Sequence, residues 1–292
     1  MTATRSRIRR RAATATDDRP RVALLDVDEG LRAAVPAADL AVAEHVVTAP
    51  CRDLDSGTWT AEGLRADSDA FAALLIRGLV THETTIAGRR SAELLGPGDV
   101  FHPWRGSDTA IPTTSRWASG TTGRVAVLDD GFLAAARRWP GLLGVLHERL
   151  AEQLARSTAH TAVMGLPRVE QRVLGLFWQL AERWGRVRPD GVSIEVTLTH
   201  ELIGHLIGAQ RPTVSLALQA LAHDGLLERT ARGGWLLAPH SRDTFIQVRP
   251  IGPIQTAAFN ERAGDRRRDP GGRPASIADR RPDGPSPRAV RR

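Results

Sequence analysis

A chain of 292 residues, 41% hydrophobic and 25% charged, has enough apolar mass for a buried core and enough length for two ordinary domains. Its single cysteine, Cys51, excludes an internal disulfide, a four-cysteine zinc site and a cysteine-ligated iron–sulfur cluster, and it suits a cytoplasmic address. The net charge of +7 sits at the ends: all 40 basic residues are arginine, residues 1–21 carry +5, residues 249–292 carry +6, and the body between is left at −4. The sequence pI of about 11.2 therefore does not describe a basic folded domain. The two tails add nonspecific attraction for nucleic acid.

Residues 1–21 lack apolar periodicity and read as a disordered basic tail. No apolar stretch follows that tail, so no secretory signal is expected. No run approaches the roughly 18 apolar residues of a membrane helix, and no membrane partner is expected. Small helices are expected around Glu29–Ala34 and Ala37–Ala43. Residues 22–132 then read as a β domain, in which short runs such as AFAALLIRG, LVTHETTIAG and GRVAVLD are punctuated by turn signals. Those signals are Arg77-Gly78, Ala87-Gly88 and Gly96-Pro97-Gly98-Asp99. Strands this short and closely spaced suggest a sandwich or jelly roll.

Helical character takes over after Asp129, and residues 133–166 are assigned to a long helix. Pro140 suits its first turn, and the stretch runs to about Met164 with Leu142, Leu146, Leu150 and Leu154 at four-residue steps. That stripe fits packing against the β domain or pairing with a second copy of the chain, and spacing leaves both open. Gly165-Leu166-Pro167 interrupts the helix. Another follows from Val169 to Trp184, with Val173, Leu176, Phe177, Leu180 and Trp184 on one face and Gly185 placed as a cap. Val192–Val196 reads as a strand. Residues 250–292, rich in Arg, Pro and Gly, read as a second disordered tail.

The segment 197–238, TLTHELIGHLIGAQRPTVSLALQALAHDGLLERTARGGWLLA, carries the functional signal. Thr199 is a helix cap, and Leu202, Ile203, Leu206 and Ile207 form the apolar face of a short helix ended by Gly208. A second helix opens at Arg211-Pro212 and buries Val214, Ala217, Leu218 and Leu221. Its other face shows Arg211, Thr213, Ser215, Gln219 and His223. Leu226–Arg229 and Trp235–Leu237 pair as a hairpin around Arg232-Gly233-Gly234. Helix, tight turn, helix and hairpin, at residues 167–240, is the layout of a winged helix-turn-helix. The candidate DNA-contacting set is Thr199, His200, Gln210, Arg211, Thr213, Ser215, Gln219, Arg229 and Arg232. Arg211 is the candidate for a bidentate contact to guanine, and the hydroxyls and hairpin arginines suit phosphates. By spacing alone a structural helical hairpin fits as well. Residues 197–240 have a formal charge of zero, which puts weight on symmetry or on the tails for affinity.

LTHELIGHLIGAQRPTVSLALQALAHDGLLE resembles the C-terminal helix-turn-helix of the Crp/Fnr family of bacterial transcription regulators. ELLGPGDVF resembles the turn before that family's phosphate-binding cassette, and RVAVLDDGFL its closing strand and short helix. The resemblance implies an α+β fold: an N-terminal β jelly roll like a cyclic-nucleotide-binding domain, a long dimerisation helix and a C-terminal winged helix-turn-helix. It implies a homodimer on near-palindromic double-stranded DNA, with RNA polymerase as a further partner of an activator. The effector pocket it implies falls on Gly98, Asp99, Phe101, Trp104, Arg116, Ser157 and Thr158.

The chain departs from the family in three places. Phe101-His102-Pro103-Trp104 replaces the Gly-Glu pair that engages the ribose. Pro112 stands where the phosphate-gripping arginine is expected, with Arg116 nearby but out of register. Pro212 replaces the glutamate of Arg-Glu-Thr-Val in the recognition helix. A buried cyclic phosphate without its cation is costly, so no cofactor is evident and cyclic-nucleotide binding is not expected. His82, Glu83 and His102 suggest a metal, but His82 and Glu83 are strand neighbours facing opposite sides, so no metal site is expected. The reading is a sequence-specific DNA-binding regulator and not an enzyme. Its rivals are a nonspecific DNA-binding architectural protein using its arginine tails, and a β-barrel metal-dependent enzyme with a helical accessory domain.

Overall fold

A computed structural model of the chain describes residues 20–61, 64, 70–104 and 110–246. The two expected tails lie outside the described residues, apart from Pro20 and Arg21 at the inner edge of the first. Arg21 belongs to a strand, Arg21–Ala23 (β1), and pairs with Pro50 of Thr48–Leu54 (β2). Between them lie Leu24–Val27 (α1), Glu29–Ala33 (α2), a 3-10 turn at Ala37–Asp39 and Leu40–Val46 (α3).

The β domain continues with Gly57–Trp59 (β3), Ala72–Arg77 (β4), Val80–Ile86 (β5), Arg89–Leu95 (β6), Val100–Phe101 (β7), Thr113–Ser119 (β8) and Gly123–Leu128 (β9). They form two antiparallel sheets, in the orders β1-β2-β9-β4-β7 and β3-β8-β5-β6. Leu75 and Val125 of the first sheet share a buried cluster with Val80 and Leu95 of the second, and Trp59, Trp104 and Trp117 pack against it. This is the expected jelly-roll sandwich. Gly78, at φ 91°, turns β4 into β5 where a Cβ would lie 2.7 Å from the Gly123 backbone, so only glycine fits.

The outer face of the five-stranded sheet is covered by helices. Leu74, Ala126 and Leu128 pack there with Leu24, Leu31 and Phe132. Phe132 belongs to Asp130–Arg138 (α4), capped by the Asp129 carboxylate, which accepts from the Phe132 amide at 3.0 Å. The helical stretch expected from residue 133 is thus two helices, because α4 closes the β domain before Pro140. Gly141–Met164 (α5) is the long helix. Its leucine stripe divides between the β domain and solvent. Leu142 and Leu146 are buried in the β-domain core, whereas Leu143, Leu150 and Leu154 are 41%, 39% and 70% exposed.

Asp28 ties α2 to α5. Its carboxylate caps α2 through the Leu31 amide at 2.9 Å and takes two hydrogen bonds from Arg149 at 2.6 and 2.7 Å. Burial pushes this carboxyl up, but the bonds from Arg149 and the Leu31 amide, with the Arg149 charge, outweigh burial and hold it below its ordinary value. The ionised form is therefore favoured by folding. Its contribution is present above the ordinary carboxylate range, about pH 4, and is lost as pH falls through the depressed value. Asp28→Asn is expected to flatten the acid side of the stability profile, which thermal melts across the acidic range check.

The C-terminal part comprises Val169–Trp184 (α6), Gly185–Arg188 (β10), Gly191–Ile194 (β11), His200–Ile207 (α7), Arg211–His223 (α8), Leu227–Arg229 (β12), Trp235–Leu237 (β13) and Ser241–Ile246 (α9). The wing is larger than the expected hairpin, a four-stranded sheet in the order β10-β11-β13-β12. Gly185 caps α6 as expected, its amide donating to the Ala181 carbonyl, but not in a left-handed conformation. It lies at φ −72° and starts β10, and its need for glycine is steric, since a Cβ would sit 2.4 Å from the Ala181 carbonyl oxygen. Among the described residues no helix is long and apolar enough to cross a membrane.

The two parts of the chain share contacts. Ala92 and Leu94 of β6 join the core built by α6, α7 and α8. Asp99, in the turn after β6, accepts from the Gly96 amide at 2.8 Å, from Arg156 of α5 at 2.8 Å and from Arg183 of α6. Arg183 also donates to the Leu94 carbonyl at 3.1 Å. The Trp184 ring lies where a Cβ on Gly96 would come within 2.3 Å, so that glycine admits the indole.

Candidate nucleic-acid interface

The two-helix unit is built from local signals. The Thr199 hydroxyl caps α7 by accepting from the Leu202 amide at 3.1 Å. Gly208 ends the helix at φ 65°, a left-handed cap that costs a glycine little. The turn is tight: a Cβ on Gly204 would lie 2.6 Å from the Ala209 carbonyl oxygen. Pro212 then sits in the first turn of α8, where its missing N–H is not required. Val214, Ala217, Leu218 and Leu221 hold α8 to the core, leaving Gln210, Arg211, Pro212, Thr213, Leu216, Gln219 and His223 exposed.

The candidate residues fall into three groups. Gln210, Arg211, Thr213 and Gln219 stand free on the outer surface of α8. His200 and Ser215 face each other instead. Ser215 Oγ donates to the Arg211 carbonyl at 3.1 Å and lies 2.9 Å from His200 Nδ1, which braces α7 against α8. Arg229 and Arg232 are exposed on the wing, Arg229 with its guanidinium 5.6 Å from the Trp235 ring centroid.

Two features of this surface were missed by sequence reasoning. Arg89 and Arg90, at the tip of the β5–β6 hairpin, line a cleft of about 720 Å³ with Glu201, Gln210 and Arg211. More than 100 positions separate the two groups in the chain, so topology alone unites them. Leu216 is 67% exposed on α8, one turn on from Thr213. Its signal was available, since an apolar residue out of phase with the buried stripe faces outward.

Among the described residues, those that the resemblance assigned to an effector pocket lie in several different surroundings. Gly98, at φ 89°, and Asp99 make the turn after β6, and Asp99 is spent on Arg156 and Arg183. Phe101 is buried, and Trp104 packs against the same cluster. Trp117 fills the interior beside them, its ring 4.1 Å from His82, 5.5 Å from Trp59 and 5.3 Å from Phe101. Burial holds the His82 imidazole below its ordinary pKa despite the nearby Glu93 carboxylate. Arg116, next to Trp117 in β8, points to the opposite face and pairs with Glu83 at 2.6 Å. Burial raises the Glu83 carboxyl, but Arg116, assisted by His205 at 3.4 Å, brings it below its ordinary value. Ser157 lines a separate cavity of about 520 Å³ with His82, Glu93 and His160, and the Thr158 hydroxyl donates to the Leu154 carbonyl at 3.0 Å.

A jelly roll, a long helix and a winged helix-turn-helix with its second helix exposed define a DNA-binding protein of the helix-turn-helix class. Residues 171–239 match the Crp-like helix-turn-helix domain. The CRP-like cAMP-activated global transcriptional regulator of Mycobacterium tuberculosis is 32% identical over 136 residues, covering 45% of this chain and 59% of that protein. The cyclic AMP receptor protein of Thermus thermophilus is 27% identical over 138 residues, covering 47% and 61%. The chain thus spans less than two thirds of the length of these relatives. FixK2 of Bradyrhizobium japonicum shares the fold with a TM-score of 0.53 at 18% identity, over 70% of this chain and 99% of that one. A CooA mutant of Carboxydothermus hydrogenoformans gives 0.53 at 17%, over 68% and 88%. The chain thus carries a Crp-like helix-turn-helix domain, within a fold that it shares with FixK2 and CooA.

Proposed function

We propose that this protein is a transcription regulator that binds near-palindromic DNA as a homodimer. The observation that carries the reading is the exposed start of α8, where Arg211 and Thr213 project from a helix braced by α7 and buried along its inner face. Arg211 is placed to hold guanine N7 and O6 in the major groove. Arg89, Arg90, Arg229 and Arg232 flank it and serve as phosphate contacts, which gives a neutral domain a local basic surface. The outward leucines of α5 pair with those of a second copy. The two recognition helices then enter successive major grooves about 34 Å apart. Gating acts through the contacts that join β6 and its turn to α5 and α6, because a shift there re-aims α8.

Selection of bound fragments from a random DNA pool at fixed salt tests this reading, with wild type and Arg211→Ala in parallel. The wild type is expected to yield a twofold-symmetric motif. Arg211→Ala is expected to lose preference at one guanine per half-site, at a cost of about 1–3 kcal/mol for each contact. Enrichment without a motif, unchanged by the substitution, would leave only a nonspecific binder.

Cyclic AMP is expected to leave the affinity for the selected site unchanged. Trp117 and His82, both half-buried, stack on each other against the jelly-roll core, and Pro112 offers no charge to a phosphate. Fluorescence anisotropy with and without the nucleotide checks this, and a several-fold shift in affinity would refute it.

A further inference from the structure

We infer that Leu216 is a specificity-determining residue that reads thymine, meeting its C5-methyl group in each half-site a few base pairs from the guanine held by Arg211. The inference rests on the DNA-binding reading above and deepens it.

Leu216 is 67% exposed, although its neighbours Ala217 and Leu218 are buried in the domain core. The exposed residues Pro212, Leu216, Gln219 and His223 recur at steps of four, three and four, so they form one outward stripe along α8. Leu216 lies on the second turn of that stripe, between the exposed Arg211 and Thr213 of the first turn and Gln219 of the third. This is the part of a recognition helix that reaches base edges.

The polar candidate next to it is committed elsewhere. Ser215 gives its proton to the Arg211 carbonyl, and its oxygen lies 2.9 Å from His200 Nδ1. Leu216 is therefore the side chain that the second turn presents to the groove, and it can neither donate nor accept. In the major groove the apolar group at a base edge is the methyl of thymine. Opposite guanine or cytosine, Leu216 would cover a polar edge and leave it unpaired, which disfavours those bases. Arg211 and Leu216 are five residues apart, about 7.5 Å along the helix, so the thymine lies about two to three base pairs from the guanine.

The probe is 2′-deoxyuridine, which removes the methyl of thymine and keeps its hydrogen-bonding edge. Each thymine of the selected motif is replaced in turn, and binding is measured for wild type and Leu216→Ala. Wild type is expected to weaken about fourfold at one thymine per half-site, the equivalent of ~0.8 kcal/mol for one buried methyl-sized group. With both half-sites replaced the loss is about 15-fold. Leu216→Ala is expected to bind the thymine and uridine sites equally while keeping the guanine preference of Arg211. Wild-type binding indifferent to uridine at every position would overturn the inference. So would Leu216→Ala that stays as sensitive as wild type, since another side chain, such as Thr213, would then hold the methyl. A pool that yields no motif at all is a different failure, which removes the DNA reading and this inference with it.

Discussion

Leu150→Asp combined with Leu154→Asp is expected to leave the protein folded, monomeric and weakened about 10²- to 10⁴-fold toward a site with two half-sites. Both leucines face outward, Leu150 39% and Leu154 70% exposed, so their loss removes nothing from the β-domain core, which takes Leu142 and Leu146 instead. With Leu143 they form an apolar strip on a 24-residue helix that the chain itself does not cover. Two such strips placed together bury leucine against leucine, and four carboxylates at that seam would repel one another in a dry contact. The affinity loss follows from linkage: two half-sites bound by one dimer gain an effective concentration that separate monomers forgo. Sedimentation at micromolar concentration reads the mass, and a single half-site should bind wild type and variant alike. A variant that remains dimeric would place the twofold seam elsewhere.

Asp99→Ala is expected to lower stability by about 3 kcal/mol, toward the lower end of the 3–5 kcal/mol for breaking a buried ion pair. The Asp99 carboxylate is almost wholly buried and is shared by Arg156 of α5 and Arg183 of α6. Its removal strands two guanidiniums in places that water reaches poorly. The lower figure allows for the 36% exposure of Arg156, which turns to solvent or toward Glu152 at 3.7 Å. For a chain of this size the loss corresponds to a melting temperature lower by roughly 6–12 °C. Asp99→Asn, which keeps an acceptor for the Gly96 amide, should fall between alanine and wild type. A melting temperature within about 2 °C of wild type for the alanine variant would show that the three-way contact carries little of the stability.

The helix-turn-helix was legible almost residue by residue, because its limits are set by local chemistry. Thr199, Gly208 and Pro212 act within one turn of where they sit in sequence, and α7 and α8 begin and end where they dictate. The leucine stripe of α5 was legible as a stripe and misleading as a single face. Four residues advance a helix by about 400°, so each step drifts about 40° and Leu154 lies about 120° around the axis from Leu142. A stripe that starts in the chain's own core must therefore end in solvent. Strand β10, with the sequence GRVR, gave no apolar alternation because it is an exposed edge, so three of the four strands of this sheet were read and β10 was missed.

Long-range features were not legible for a common reason. Arg116 reads as near the phosphate position by counting, but one residue of strand register turns a side chain to the other face, and Trp117 takes the interior place. Asp99 reads as a turn former, and its second role needs two arginines from helices 57 and 84 positions away.

The alternation of β6 has a consequence for how this chain can be taken apart. Leu95 of that strand faces the jelly-roll interior while Ala92 and Leu94 face the DNA-binding core, so one seven-residue strand is a common wall of two hydrophobic interiors. Two modules joined by a tether can be exchanged or excised without harm to either. Here the residues from 167 onward, cut free, lose part of their own lining and expose the apolar surface that Ala92 and Leu94 cover. The jelly roll and the DNA-binding domain are structurally indivisible in this protein, and a substitution in β6 reaches the DNA-binding domain without any intermediary.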